Sequence, residues 1–275
     1  MMKNIKLIVC DIDNTLVVKH QPLTRYSKEI IDECHKRGIL FGLASGRGTL
    51  MLKQLAEDWN IHCDVLIGMN GSEMYDHLLN KEEIFYEMEE DWLKQCIEIM
   101  SPFESQPHCL KDGVSYIRES NEAQKASNRY IRNKKPDYIV KDDSDFWKGK
   151  SPKISFRVKA EDMPAIEERV SSYTLQGFIG FKTETTMFEF CHQDSSKGNL
   201  LKEFCKRHHI AKEEVCSFGD MSNDISLLKE SGVAVCMSNG SDDCKAAATH
   251  ITDYPVSQDG VAHFIETYLF KIVTN

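Results

Sequence analysis

The first apolar run, Ile5-Lys6-Leu7-Ile8-Val9-Cys10, is nearly unbroken and predicts a short strand. From Leu23 to Arg37 the apolar positions recur at helical spacing, and Gly38 stands at the expected stop. Ile39 to Ala44 predicts a second strand, Thr49 to Trp59 a second helix, and Val65 to Ile67 a third strand. Strands that are apolar on both faces and alternate with helices imply a parallel sheet covered on both sides. The same rhythm returns late in the chain. Lys197 to His209, Asp224 to Ser231 and Asp242 to Ala248 predict helices, Glu214 to Phe218 and Val233 to Cys236 predict strands, and a last helix follows Asp259.

Between these halves the pattern changes. Short strand-like pieces at Ser151 to Val158, Gln176 to Phe181 and Met187 to Phe190 mix with helical segments at Glu90 to Met100 and Asp162 to Ser172. The fold class predicted is therefore α/β: a Rossmann-like parallel core from residues 1–81 and 191–275, with an α+β domain of residues 82–190 inserted into it. Its 275 residues suit two modest domains better than one hydrophobic core.

Composition narrows the function. A hydrophobic share of 41% with 28% charged residues is that of a globular protein, and a net charge of -9 argues against a nucleic-acid partner, which needs clustered Lys and Arg. The ten cysteines are scattered without a C-x-x-C pair, so buried free thiols are expected. The apolar stretch at the start is too short for a signal peptide and leads straight into a strand, and no run approaches membrane-spanning length. A cytoplasmic protein without a membrane partner is the expectation.

The candidate chemistry sits where predicted strands end. Asp11 and Asp13 follow the first strand, and their i, i+2 spacing presents two carboxylates on one side of an extended segment. Asp also caps helices and opens turns, so this pair alone decides nothing. Ser45-Gly46-Arg47 follows the second strand, where a hydroxyl and backbone N–H groups at a helix start suit a phosphoryl oxygen, or serve simply as an N-cap and turn. Ser196-Lys197-Gly198 marks the return to the core. Gly219-Asp220-Met221-Ser222-Asn223-Asp224 follows another strand and carries one carboxylate more than capping needs. Carboxyl ends of parallel strands converge on one crevice, so Asp11, Asp13, Asp220 and Asp224 should crowd one site, where magnesium would offset their repulsion.

The order D-x-D-x-T, S-G-R, S-K-G and G-D-x-x-N-D resembles the four motifs of the haloacid dehalogenase superfamily, in particular its Cof-type sugar-phosphate phosphatase branch; Asn70-Gly71-Ser72 is similar to that branch's N-G-A segment. The motifs run from Asp11 to Asp224. The resemblance implies an Mg2+-dependent phosphatase acting on a small phosphorylated metabolite. Asp11 would be the nucleophile, Asp13 the general acid and base, and Lys197 the neutralising cation. Ser45, Gly46 and Lys197 would bind phosphate, and Asn223 the substrate. Asp11, the backbone carbonyl of Asp13, and Asp220 would hold the metal, oriented by Asp224. The inserted domain would be a C2-type cap. Asn14 stands where this branch often has Gly, and Ser45 where Thr is frequent.

Other features carry less. His208, His209 and Cys205 read as a helix face rather than a zinc site, Asn70-Gly71-Ser72 and Asn239-Gly240-Ser241 as turns rather than glycosylation sites, and Arg132-Asn133-Lys134-Lys135 as solvated surface. A phosphomutase on the same scaffold and a catalytically silent phospho-ligand-binding regulator are the competing readings. Product analysis separates the first, and a nucleophile that binding does not require argues against the second. Neither the substrate nor the oligomeric state is legible.

Overall fold

The computed structural model describes residues 4–119 and 135–270. Its strands in chain order begin with β1 (Leu7–Cys10), β2 (Leu40–Ala44), β3 (Val65–Gly68), β4 (Glu73–Asp76) and β5 (Lys81–Ile84). A middle group follows: β6 (Ser105–Lys111), β7 (Val114–Ile117), β8 (Tyr138–Ile139), β9 (Lys153–Val158), β10 (Phe178–Glu184) and β11 (Met187–His192). The last are β12 (Val215–Gly219), β13 (Val233–Cys236) and β14 (His250–Ile251). The α-helices are α1 (Arg25–Lys36), α2 (Thr49–Trp59), α3 (Glu90–Met100), α4 (Ser144–Trp147), α5 (Met163–Ser171), α6 (Lys197–Arg207), α7 (Ile225–Lys229), α8 (Asp242–Ala247) and α9 (Gly260–Phe264).

The chain divides into two compact units, Met1–Glu83 with Ser196–Asn275, and Ile84–Ser195. The expected division at 190/191 falls inside β11, which runs on to His192, so the return to the first unit comes at Ser196.

The first unit is built on an eight-stranded sheet ordered β14-β13-β12-β1-β2-β3-β4-β5, parallel from β14 to β3. All four residues of β1 are buried, as a central parallel strand requires. Each buried Leu, Ile or Val there contributes roughly 1.5–3 kcal/mol of apolar transfer. The register pairs Cys10 with both Leu43 of β2 and Phe218 of β12. The segments that follow those residues therefore leave the sheet at one end. Helix α1 begins at Arg25 because Thr24 caps it, its side chain accepting from Ser27 N–H at 3.0 Å. Ile30, Ile31 and Cys34 form its buried face, His35 and Lys36 complement its carboxyl-end dipole, and Gly38 turns the chain at φ +76°.

The second unit holds a six-stranded sheet ordered β10-β11-β9-β6-β7-β8, antiparallel except between β7 and β8. Its core gathers Phe146, Phe156, Phe178, Phe188 and Phe190 under Leu93 and Ile97 of α3 and Ile166 of α5. The unit is α+β, and strands β6, β7 and β8 are additions to the sequence expectation.

All ten cysteines are free and buried, in keeping with scattered thiols that have no pairing motif. Among the described residues no helix is long and apolar enough to cross a membrane. Arg132, Asn133 and Lys134 of the basic stretch lie outside the described residues, while Lys135 donates to the Asp112 carbonyl at 2.6 Å.

Candidate active site

At the carboxyl end of β1 the Asp11 N–H donates to the Phe218 carbonyl at 3.0 Å, which extends the β1–β12 pairing by one residue and fixes the Asp11 backbone. Opposite, Lys197 stands in the first turn of α6, whose cap Ser196 accepts from Asn199 N–H at 3.1 Å. The Lys197 side chain is fully buried; its Nζ donates to Asp11 Oδ1 at 2.6 Å and to Asp224 Oδ1 at 2.5 Å. A buried ammonium is tolerated because two carboxylates complete it. They hold its pKa above the ordinary lysine value although burial alone would lower it.

Asp224 is fixed on both sides. Its Oδ2 accepts from the Asp220 and Met221 N–H groups at 2.9 and 3.1 Å, so it orients Lys197 rather than offering a free oxygen. Gly219 makes this fold-back possible, since a Cβ there would lie 2.3 Å from that of Asp224. Asp220 accepts from Thr15 Oγ1 at 2.8 Å. Among the described residues the second carboxylate oxygens of Asp11 and Asp220 have no protein donor.

Ligand atoms of Asp11, Asp220 and Asp224 lie within 4.8 Å of one another. Acidic charge there exceeds the single ammonium. Burial lifts the Asp11 carboxyl, against Lys197 and with help from the Asp224 charge, to about 7. Burial also lifts Asp220, against the Thr15 bond and again with the Asp224 charge, to about 6. Hard oxygen donors short of positive charge fit a divalent cation, and Asp11 with Asp220 supplies them. The Cys10 thiol beside Asp11 is pushed well up by burial and stays inert.

Asp13 is near enough for its charge to add to the lift of Asp220. Its carboxylate is gripped by Arg47, with Nη2 at 2.7 Å from Oδ1 and Nε at 3.1 Å from Oδ2, so its charge is paired. The next residue, Asn14, sits at φ +64°, a conformation that Asn tolerates and that explains the place where glycine is frequent. Ser45 is buried after β2; its N–H donates to the Ile67 carbonyl at 2.8 Å and its carbonyl accepts from Asn70 N–H at 3.0 Å. Its hydroxyl accepts from Arg47 N–H at 3.3 Å, and Gly46 follows, with the Asn70 amide 3.3 Å from where a Cβ would stand. Asn223 donates to Asn70 Oδ1 at 3.2 Å. Asp11, Asp220, Asp224 and Lys197 thus meet directly, Asp13 stands beside them paired with Arg47, and Ser45, Gly46 and Asn223 gather around Asn70.

The motifs alone assigned no role to Arg47, Thr15 or Asn70; Thr15 stands two residues from Asp13, but Arg47 and Asn70 come near only through the fold. Gly71, at φ +101°, lets this loop pass the start of α6: a Cβ there would fall 2.1 Å from the Ser196 carbonyl carbon. Asn70-Gly71-Ser72 is the turn it was read to be. His208 Nε2 donates to the buried Asp76 carboxylate at 2.8 Å, a structural pairing of a helix end, and Cys205 is a buried free thiol.

A family model for haloacid dehalogenase-like hydrolases matches residues 8–265. The chain is 25% identical over 268 residues to the 5-amino-6-(5-phospho-D-ribitylamino)uracil phosphatase YcsE of Bacillus subtilis, covering 97% of this chain and 96% of that protein. In structure it superposes on a haloacid dehalogenase-like hydrolase from Bacteroides thetaiotaomicron with a TM-score of 0.82 at 22% identity, covering 96% of this chain and 99% of the other. It also superposes on the subclass IIB sugar phosphatase BT4131, with a TM-score of 0.78 at 20% identity over 95% of this chain and 98% of the other.

Proposed function

The chain belongs to the haloacid dehalogenase-like hydrolases and is an enzyme of the phosphomonoesterase kind, and from that premise we propose that it hydrolyses small phosphorylated metabolites, sugar phosphates foremost, through an aspartyl phosphate on Asp11 with Mg2+ as cofactor. The observation that carries this reading is the fully buried Lys197 ammonium bridging Asp11 and Asp224. It keeps a buried carboxylate available as a nucleophile, and a binding protein has no need of that arrangement.

In the first step an Asp11 oxygen bonds to phosphorus as the phosphorus–oxygen bond to the substrate breaks, and the leaving oxygen takes a proton from Asp13. In the second a water attacks the same phosphorus, gives its proton back to Asp13, and frees Asp11 and inorganic phosphate. Asp13 must leave Arg47 and become protonated before it can donate, so the Asp13–Arg47 pair is a resting arrangement that substrate opens. Ser45 and the Gly46 N–H bind the phosphoryl oxygens, Lys197 balances the charge gathering between Asp11 and phosphorus, and Asn223 contacts substrate. Asp11, Asp220 and the Asp13 carbonyl would hold Mg2+, which supplies further charge neutralisation to the transferring phosphoryl. The residues of 84–195 would serve as the substrate-selecting cap.

Release of inorganic phosphate from a panel of phosphorylated metabolites tests the proposal. We expect turnover that EDTA abolishes and Mg2+ restores, and that Asp11→Asn lowers by about 10⁴-fold or more with the circular dichroism spectrum unchanged. Activity that survives either treatment refutes the mechanism; a phosphorylated isomer formed in place of free phosphate would make the enzyme a mutase.

A further inference from the structure

A second cluster of metal-ligating side chains lies at the opposite, amino end of the parallel strands. Asp64 directly precedes β3, and its Oδ2 accepts from the N–H of Phe41, near the start of β2, at 2.9 Å. The carboxylate is nearly buried, and its backbone is pinned on both sides: Asp64 N–H donates to the Phe41 carbonyl at 2.7 Å and His77 N–H to the Asp64 carbonyl at 2.9 Å. Two imidazoles converge on this fixed group. His35, in the last turn of α1, places Nε2 3.1 Å from Oδ2, and His62 places Nε2 3.2 Å from Oδ1. His62 and Asp64 share a side of the extended segment through their i, i+2 spacing, while the intervening Cys63 turns into the apolar core. The His77 ring stands edge-on to His62 with centroids 4.5 Å apart and buttresses it.

We propose that His35, His62 and Asp64 form a binding site for a divalent transition ion of the zinc class, separate from the candidate active site. The three donor atoms lie within 4.8 Å of one another. Tetrahedral zinc with bonds of about 2.0–2.1 Å separates its ligand atoms by roughly 3.3 Å; His35 Nε2 lies 3.1 Å from Oδ2 and His62 Nε2 3.2 Å from Oδ1, so each imidazole is at that spacing from one oxygen of the shared carboxylate. Two imidazoles and one carboxylate favour zinc, nickel or copper over magnesium, which prefers oxygen donors throughout. The half-exposed His62 leaves the fourth position to water. The ion would tie the end of α1 to the entries of β2 and β3, and so acts on stability rather than on turnover.

The test uses the full chain in excess Mg2+, exposed to Zn2+ and then desalted, with bound zinc counted by elemental analysis and melting followed with and without Zn2+. The wild type is expected to retain one equivalent more than His62→Gln or His35→Gln and to melt higher with Zn2+, a rise that both variants lose; Co2+ in its place should give the visible absorption of a tetrahedral site only in the wild type. Zinc bound at the active-site carboxylates is common to all three proteins and cancels. Equal retention and equal melting shifts in the wild type and the half-exposed variant His62→Gln would overturn the site and leave a hydrogen-bonded clasp. Because His62→Gln removes no core contact, it decides the matter even if His35→Gln folds poorly.

Discussion

Each unit of the molecule buries a lysine, and the two are solved differently. Lys197 in the first unit lies between the carboxylates of Asp11 and Asp224, which hold its pKa up against burial. Lys111, at the end of β6 in the second unit, has no carboxylate in hydrogen-bonding contact among the described residues. Its Nζ donates to the Asp145 and Lys148 carbonyls at 2.8 and 2.7 Å, at the end of α4, and lies 4.8 Å from the centre of the Tyr116 ring. Burial there lowers its pKa. Dipoles and a ring face satisfy donors without matching a full charge, whereas paired carboxylates match it and leave surplus negative charge. The first arrangement has chemistry left over; the second completes a helix end whose last carbonyls lack intrahelical partners.

Removing each ammonium should separate the two roles. Lys197→Met is expected to lower kcat on an aryl phosphate by about 10²–10³-fold or more, and to destabilise the first unit by about 3 kcal/mol because two buried carboxylates lose their counter-charge. Kinetics beside urea denaturation check both, and near-wild-type turnover would break the contrast. Lys111→Met should leave kcat unchanged while costing about 1–3 kcal/mol for the two stranded carbonyls; a loss of turnover larger than the loss of folded protein would mean that this lysine, too, serves the reaction.

The smallest effect concerns alkaline stability. A lysine whose pKa is lowered in the folded state binds fewer protons there than when unfolded, in the window just below 10.5. Stability therefore rises with pH through that window. The stability of wild type relative to Lys111→Met should climb modestly as pH rises towards 10.5, and denaturation of the pair at matched alkaline pH reads it; a flat or falling difference would show that the carbonyls stabilise the charged form fully.

The first unit was legible because its strands are continuous apolar runs and its chemistry stands at their ends. Thr49 to Trp59 and Val233 to Cys236 were readable to the residue, and the meeting of Asp11, Asp220 and Asp224 was expected from carboxylates standing at the carboxyl ends of parallel strands, whereas only the family resemblance brought Lys197 to them. Strand β6 was not legible. Its buried positions are Ser105, Pro107, Cys109 and Lys111, so polar groups occupy the face where alternation would normally announce a strand. Strand β5, Lys81-Glu82-Glu83-Ile84, is an exposed edge tied down by Lys53–Glu82 and Arg207–Glu83 ion pairs that no local pattern reveals. The hold of Arg47 on Asp13 depends on rotamers. The His35, His62 and Asp64 cluster joins residues 29 apart through the crossover from α1 to β3.

The position of β1 between β2 and β12 governs when this protein comes alive during its own synthesis. Lys197 is 186 residues downstream of Asp11, and the Thr15–Asp220 bond spans 205. At about 5–20 residues per second a ribosome takes roughly ten to forty seconds to bring that lysine to its aspartate. The middle unit is delivered whole in the interval, while Asp11 has neither its lysine partner nor the second half of its sheet.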